Sequence, residues 1–263
     1  MSYLALNSSA TGMTALNTQL DVIANNIANA DTNGFKSSRA DFQDLYYIEK
    51  KQPGVENQLA DTRTPNGLYV GLGVEVAGTQ LDMTQGSPIP NTSPTAMMIE
   101  GNGFFQVDLG DEFGYTRDGA FQTNADGDLV TVSTGYRLEP AINVPLEATG
   151  ITISPQGTLS YLLPGQTDPV EEQIEIAIFQ NSSGLRQLGE NLYAESIASG
   201  PPVVGNPGED GAGTILSNAL EGSNVDPVTQ LVDLIRTQRA FEMNSQAFNS
   251  ADETLQTVVN LGR

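Results

Sequence analysis

Both ends of the chain repeat apolar residues at helical intervals, and this pattern constrains the fold more than any other feature. Each series contains residues seven positions apart, with further apolar residues three or four positions away. The N-terminal series is Leu6, Met13, Leu16, Leu20, Ile23 and Ile27. The C-terminal series is Leu231, Leu234, Ile235, Phe241, Phe248, Leu255 and Val259. Spacings of three and four residues place such side chains on one face of a helix, so we predict a long helix at each end.

Local signals set the limits of both predicted helices. The first ends at Asn33-Gly34, because glycine tolerates the left-handed conformation that closes helices. The second runs from about Pro227 to Leu261, with Asn and Asp before it as N-caps and the proline in its first turn.

The N-terminal helix is nearly free of charge, which is unusual for a helix that faces water. Among the first thirty residues only Asp21 is charged. A helix without a charged face packs easily against several neighbours. Asn25, Asn26 and Asn29 donate and accept hydrogen bonds without charge, so we predict that they make contacts between subunits of a polymer. A helix pair buried inside an ordinary α+β domain is the competing interpretation.

The middle of the chain has the punctuation of an antiparallel β domain. Short apolar runs such as FFQV, DLVTV and IEIAIF alternate with turn dipeptides. The turn dipeptides are Asp118-Gly119, Asp126-Gly127, Thr134-Gly135, Gln156-Gly157 and Ser183-Gly184. We therefore predict an α+β fold: helical segments at 1–34 and 222–263, an antiparallel β domain at 68–221, and an extended or loosely folded connector at 35–67 with a turn at Pro53-Gly54.

Composition removes most enzyme classes. The 263 residues include no cysteine and no histidine, so thiolate and imidazole chemistry is absent, and we predict no metal or other cofactor. The net charge of −21 argues against nucleic acid or an anionic membrane surface as a partner. Residues 100–221 contain 18 acidic and three basic side chains, which predicts a solvated surface for the middle of the chain.

Two acidic motifs are candidate sites. Asn124, Asp126 and Asp128 begin like a calcium loop, but Leu129 and Gly135 stand where an EF-hand needs glycine and glutamate, so a hairpin turn is favoured. The carboxylates Asp108, Asp111, Glu112 and Asp118 leave open a glycan hydrolase that uses two carboxylates. A chain without tryptophan has little surface for sugar stacking, which disfavours that alternative. A monomeric ligand-binding β domain with a helical stalk is a further alternative.

The ends of the chain resemble a known family. VIANNIANADTNGFKSSRADFQDL (22–45) is similar to the N-terminal signature of bacterial flagellar axial proteins, the rod and hook family. The segment 223–261 resembles the C-terminal helix of that family. RTQRAFEMNSQA (236–247) and YYIEKKQPGVENQLADTRTP (46–65) look most like the subunits of the distal rod; the second resembles an insertion associated with a straight, rigid rod. Paralogues of the proximal rod or the hook are the near alternative.

The resemblance implies a structural protein and not an enzyme. Its end helices would pair as a coiled-coil-like layer in the inner tube of a helical homopolymer, with the β domain outside. The rod would transmit motor torque to the hook in the periplasm and through the outer-membrane rings. The implied partners are further copies of the chain, proximal-rod and hook-side axial proteins, the basal-body rings and the flagellar type III export apparatus. No nucleic acid or small-molecule substrate is implied. The start of the sequence lacks the features of a cleavable signal peptide, which fits that export route.

Two sets of residues follow from the pattern and the resemblance together. The predicted polymer-interface residues are Leu6, Met13, Leu16, Leu20, Ile23, Asn25, Asn26, Ile27, Asn29, Leu231, Leu234, Ile235, Gln238, Phe241, Asn244, Phe248, Leu255 and Val259. The predicted turn and connector residues are Asn33, Gly34, Phe35, Lys36, Arg39, Pro53 and Gly54.

Overall fold

The computed structural model describes residues 2–53, 66–110, 112–166 and 168–261. Within these ranges the chain forms two α-helices, twenty β-strands and one short 3-10 helix, Ser182–Gly184. Helix α1 spans Ser2–Ala28 and helix α2 spans Pro227–Leu261. The chain divides into two compact units. The helical unit contains Met1–Ile27, Ser38–Gln80 and Pro227–Arg263, and the β unit contains Ala28–Ser37 and Leu81–Asp226.

The helical unit combines both helices with four strands. These are β1 (Ser38–Asp44), β2 (Tyr47–Lys51), β3 (Leu68–Gly71) and β4 (Val74–Leu81). Strand β1 pairs with β4, and β2 pairs antiparallel with β3. Helix α1 contacts the strands closely, since a Cβ added to Gly73 would lie 2.1 Å from Oγ1 of Thr11. With its φ of +122°, this position accepts only glycine.

Helices α1 and α2 contact each other in an antiparallel sense. Nδ2 of Asn26 donates a hydrogen bond to Oε1 of Gln230 (3.3 Å). Towards the other end of the pair, a Cβ added to Gly12 would lie 3.0 Å from Nδ2 of Asn244. The two contact points are fourteen residues apart on each helix.

The β unit contains the other sixteen strands of the described residues. In chain order they are β5 (Pro88–Pro90), β6 (Met97–Glu100), β7 (Phe104–Asp108), β8 (Phe113–Thr116), β9 (Phe121–Thr123), β10 (Leu129–Thr131), β11 (Arg137–Glu139), β12 (Thr149–Ile153), β13 (Thr158–Leu162), β14 (Val170–Gln173), β15 (Ile176–Ile178), β16 (Arg186–Gly189), β17 (Leu192–Ala194), β18 (Val203–Gly205), β19 (Thr214–Ser217) and β20 (Ala219–Glu221). The largest sheet has the order β16-β17-β8-β7-β11-β10-β9, with β15 joining β7 to β18. Smaller sheets pair β12-β13-β14, β6 with β19, and β5 with β20. These pairings are antiparallel, as predicted.

The core of the β unit lies on both faces of strand β7. Successive side chains of a strand point to opposite faces. Phe105 accordingly belongs to the main apolar cluster with Phe121, whose ring it meets edge to face at 5.3 Å. Phe104 belongs to a second cluster, where it contacts Phe179 and Tyr193 in the same geometry. Burial on both faces explains why the FFQV run is continuously apolar apart from its glutamine.

Two expectations about the N-terminal segment need correction: where its helix ends, and to which unit the residues up to Gly34 belong. Helix α1 ends at Ala28 and not at Asn33-Gly34. Gly34 does take a left-handed conformation, with φ +68°, but it lies in a segment that belongs to the β unit. There its amide donates to the carbonyl of Glu221 (2.7 Å), so this backbone group has a hydrogen-bond partner without a further turn of helix.

The predicted connector is not a loose linker where the structure describes it. Residues 38–44 and 47–51 form β1 and β2, and each strand pairs with a later one. That pairing explains why the alternating segment 68–80, expected in the outer β domain, groups with the helices instead. Residues 28–37, which were predicted in the N-terminal helical segment and the connector, belong to the β unit instead. Pro53 is exposed at a turn, and Gly54 lies outside the described residues.

Candidate assembly surfaces and a buried junction

Helix α2 has one covered face, which follows the predicted heptads. Eight of its less exposed positions, which we call the seam face, are spaced alternately four and three residues apart, and Asp233, Ala240 and Ser245, which are also less exposed, flank them. The eight positions are Gln230, Leu234, Thr237, Phe241, Asn244, Phe248, Ala251 and Leu255. Gln230 and Asn244, the two residues that approach α1, both belong to this series. The face that contains Phe241 and Phe248 is therefore turned towards α1 within one chain.

A second face of α2 is apolar but exposed. Val228, Leu231, Val232 and Ile235 have 70%, 49%, 42% and 51% of their surface accessible. Their spacing of three, four and seven residues places them side by side on the helix. We call these four residues the α2 stripe. The predicted Gln238 is exposed near its end, and Val259, on the seam face, is 64% exposed. The structure thus divides the predicted interface residues between two faces.

The predicted α1 residues are mostly covered. Ile23 is buried, and five others of the series are partly buried. These five are Leu6, Met13, Leu16, Leu20 and Ile27. Gly12 and Ala15 are also buried, so small side chains lie on the covered face of α1 beside the large ones. A small residue lets a neighbouring backbone or side chain approach closely.

The three asparagines at the end of α1 have different surroundings. Asn26 is buried, its Nδ2 donates to the carbonyl of Ser38 (2.8 Å), and its Oδ1 accepts from the amide of the same residue (3.0 Å). The amide therefore links α1 to the start of β1 inside one chain. Asn29 accepts a hydrogen bond from Oγ1 of Thr32 (3.2 Å), and Asn25 is exposed. An intramolecular bond is the role that the structure gives Asn26.

A buried charge cluster lies inside the β unit and includes a predicted connector residue. The side chains of Lys36 and Glu221 are fully buried, and Nζ of Lys36 lies 2.5 Å from Oε1 of Glu221. Nζ also donates to the carbonyl of Thr84 (2.7 Å), and the amide of Gly86 donates to the same Oε1 (3.0 Å). Most of the hydrogen-bonding capacity of both charges is thus satisfied inside the protein, as a buried charge requires.

Arg117 brings a second cation to this cluster. Its Nη1 lies 3.4 Å from Oε2 of Glu221, and its Nη2 donates to the carbonyl of Gly101 (2.7 Å). The guanidinium lies over the ring of Phe104 at 5.2 Å, a favourable cation–π arrangement. Its buried Nε has no hydrogen-bond partner among the described residues. One carboxylate therefore holds two buried cations.

Burial changes the proton affinity of several groups in the cluster. Desolvation lowers the pKa of Lys36, against the opposing pull of the Glu221 carboxylate. The pKa of Arg117 is lowered for the same reason. Burial, reinforced by Glu221, raises the pKa of Tyr193 to about 12. Desolvation is the largest cause in each case, so the cluster lies in a dry part of the unit.

Hydrogen bonds that involve the side chains of Asn224 and Asn191, and one between two backbone groups, join the segments around the charge cluster. Asn224 accepts from the amide of Ser37 (2.7 Å) and donates to the carbonyls of Asp82 (2.8 Å) and Thr84 (3.2 Å). The amide of Asp82 in turn donates to the carbonyl of Ser37 (2.8 Å). Nδ2 of Asn191 donates to the carbonyl of Asn33 (2.9 Å). We call residues 33–37, 82–86 and 221–224, together with Arg117, the junction.

The remaining turn and connector residues contribute less. The carbonyl of Phe35 accepts from the amide of Asn224 at 3.4 Å. Arg39 belongs to the helical unit, where its exposed guanidinium contacts Asp41 (3.1 Å) and Gln80 (2.9 Å). Exposed ion pairs of this kind stabilise a protein little.

The acidic motifs have structural partners. Oδ1 of Asn124 accepts from the amides of Asp126 and Asp128, in the turn that joins the paired strands β9 and β10, so the hairpin interpretation is confirmed. A hydrogen bond from Asn143 is the main cause that lowers the pKa of Asp128. Within the described ranges no group of three or more acidic residues could hold a metal ion.

The other carboxylates are engaged separately. Asp108 and Asp118 accept from nearby backbone amides, and Glu112 lies 3.4 Å from Arg186. Asp111 lies outside the described residues. As far as the structure describes the chain, neither helix is long and apolar enough to cross a membrane.

Three family models match the ends and the middle of the chain. The flagella basal body rod protein model matches residues 6–36, and the flagellar hook protein FlgE/F/G D1 domain matches 98–161. The flagellar basal body rod FlgEFG protein C-terminal model matches 216–261. The chain therefore belongs to the family of flagellar hook and basal-body rod proteins.

Within that family the chain is similar to FlgG over nearly its whole length. It is 42% identical over 255 residues to the flagellar basal-body rod protein FlgG of Buchnera aphidicola from Acyrthosiphon pisum, which covers 96% of this chain and 97% of the relative. It is 44% identical over 251 residues to FlgG of Agrobacterium fabrum, covering 95% of each. Identity to the rod protein FlgF of Caulobacter vibrioides is 30% over 253 residues, covering 94% of each. The predictions of a structural protein and of no enzyme are confirmed by this membership, and nothing supports the glycan hydrolase.

The junction explains why residue 34 must be glycine, which gives a testable stability difference. A Cβ added to Gly34 would lie 2.6 Å from the amide nitrogen of Asp118, and φ is +68°. Gly135 has a similar φ of +76° with nothing within 4 Å of an added Cβ. Left-handed backbone costs an alanine about 1–2 kcal/mol at either site. We expect Gly34→Ala to lower the free energy of unfolding in urea by clearly more than Gly135→Ala. Equal losses of stability in the two variants would show that the backbone of residues 117–118 does not exclude a side chain at position 34.

Proposed function

We propose that this chain is a distal-rod subunit, which assembles with copies of itself into a helical tube and transmits motor torque to the hook. The α2 stripe carries the proposal. The seam face of α2 is already turned towards α1, whereas the stripe is apolar and exposed, and contiguous exposed apolar surface marks a contact site. A head-to-tail contact that does not close on itself produces a filament. In this tube, paired α1 and α2 would form a coiled-coil-like inner layer.

The proposed partners and location follow from the same family. We propose that the rod continues from proximal-rod proteins to hook-side axial proteins, lies in the periplasm and passes through the outer-membrane ring region. The surrounding rings and the flagellar type III export apparatus would be further partners, with export that needs no cleavable signal. The proposed outer position of the β unit suits its charge, since residues 100–221 have six acidic side chains for each basic one. Identity of about 42% to FlgG against 30% to FlgF favours the distal rod over a paralogue.

Removal of α2 tests the proposal. We expect a chain that ends at Asp226 to keep a folded β unit, because all residues of the junction are retained. Without α2 it should be absent from rods, and basal bodies isolated from cells that make only this variant should end before the distal rod in electron micrographs. The full-length chain, produced in the same cells, is the control, and secretion of both chains is measured. Incorporation of the shortened chain into rods would refute the proposed role of α2.

A further inference from the structure

The junction lies beside the points at which the chain leaves the β unit. The chain passes between the two compact units after residues 27, 37, 80 and 226. Three of these passages lie within a few residues of the junction. Ser37 immediately precedes the second, Asp82 closely follows the third, and Asn224 closely precedes the fourth. The contacts of the junction all lie inside the β unit, so the junction is the means by which that unit holds its own ends.

The hydrogen bonds of the junction connect the three passages to one another. The side chain of Asn224 binds Ser37, which precedes one passage, and Asp82 and Thr84, which follow another. The backbone of Asp82 also binds that of Ser37. A pull on any one segment is therefore resisted by the other two.

The buried ion pairs connect these hydrogen-bonded segments to the rest of the β unit. Lys36 connects the first segment to Thr84 and Glu221, and Arg117 reaches the same carboxylate from the end of strand β8. Separating any of these partners would leave a charge buried without its counter-ion, which is strongly unfavourable. A bond that is dry and charge-assisted is stronger than one at the surface.

We propose that the junction is a mechanical anchor. It ties together three of the segments at which the chain enters or leaves the β unit, so that no one of them can be pulled out alone. This inference rests on the proposed function, because only a subunit of a rotating shaft has to carry torque from one part of its chain to another. Segments held in parallel share an applied force, whereas segments held singly detach in sequence. The anchor would thus keep the β unit intact under load without a disulfide, in a chain that has no cysteine.

Pulling on single molecules tests the anchor directly. Because the chain has no cysteine, cysteines placed at the exposed residues Gln246 in α2 and Leu188 in β16 give unique attachment points. The variant is Asn224→Ala, which removes the side chain shared by the three segments. The control is Asn206→Ala, an exposed asparagine whose side chain bonds only to Glu209 (3.3 Å) among the described residues. Both full-length variants are first compared by circular dichroism, and a milder Asn224→Ser replaces the alanine if folding is lost.

We expect Asn224→Ala to shorten the lifetime of the first opening at constant force by roughly tenfold or more, since several hydrogen bonds are lost together. The Asn206→Ala control should keep the wild-type lifetime. Equal lifetimes for the two variants would overturn the anchor. In cells, Asn224→Ala rods should form but break more often than control rods when swimming in a viscous medium. Equal breakage would also overturn the mechanical role, whereas failure of even the wild-type chain to enter rods would refute the proposed function itself.

Discussion

Replacement of Glu221 by leucine should lower the stability of the β unit more than any other single substitution in the junction. The substitution removes the one carboxylate that faces both Lys36 and Arg117. Two cations would then remain buried without a counter-ion. Breaking a buried ion pair by removing one partner costs about 3–5 kcal/mol. We expect Glu221→Leu to lower the free energy of unfolding by about that amount, as measured by urea denaturation followed through tyrosine fluorescence.

A matched double variant separates the charge effect from packing. In Glu221→Leu combined with Lys36→Met, one of the two unpaired cations is replaced by an apolar side chain of similar length. The double variant should therefore be more stable than Glu221→Leu alone, because an apolar pair tolerates burial. Glu112→Leu, which removes a half-exposed carboxylate from its 3.4 Å contact with Arg186, should change stability by less than about 1 kcal/mol. A double variant less stable than Glu221→Leu would mean that Lys36 is not held by Glu221.

Periodicity predicted the helices well because it reports one physical requirement, the burial of an apolar face. Helix α2 runs from Pro227 to Leu261 as expected, and Phe241 and Phe248 lie on its covered face. The hairpin at Asn124–Asp128 was equally local, since a turn is set by its own few residues.

The partners of the long-range contacts could not be read in the same way. Lys36 and Glu221 are 185 residues apart, and nothing near either one in the sequence identifies the other. The only local signal was a lysine directly after phenylalanine in a segment with little charge. The pairing of β1 with β4 was also missed, because alternation predicts a strand but not its neighbour. Asn33-Gly34 does form a turn, but its backbone contact with Glu221 places that turn in the β unit and not at the end of helix α1.

Substitution of Ile235 by aspartate should weaken assembly roughly a hundredfold while leaving the monomer folded. Ile235 is 51% exposed on the α2 stripe, so a carboxylate there remains solvated in the free chain. We expect the thermal stability of the full-length monomer to change little, as is usual for exposed sites. In the tube the stripe would be covered by another subunit, and an unpaired charge would lose its water. A penalty of about 3 kcal/mol raises the concentration needed for assembly roughly a hundredfold.

Two further substitutions on the same helix make this result specific. Ala247→Asp adds the same charge at an exposed position of α2 outside the stripe, and it should assemble at nearly the wild-type concentration. Phe241→Asp places the charge on the covered face, where it should disturb the contact with α1 as well as assembly. Sedimentation and electron microscopy measure polymer, and helical circular dichroism of the monomer measures the helix pair. The three variants therefore distinguish a surface that binds other subunits from one that folds the chain. Wild-type assembly of Ile235→Asp would mean that the apolar stripe stays exposed in the rod.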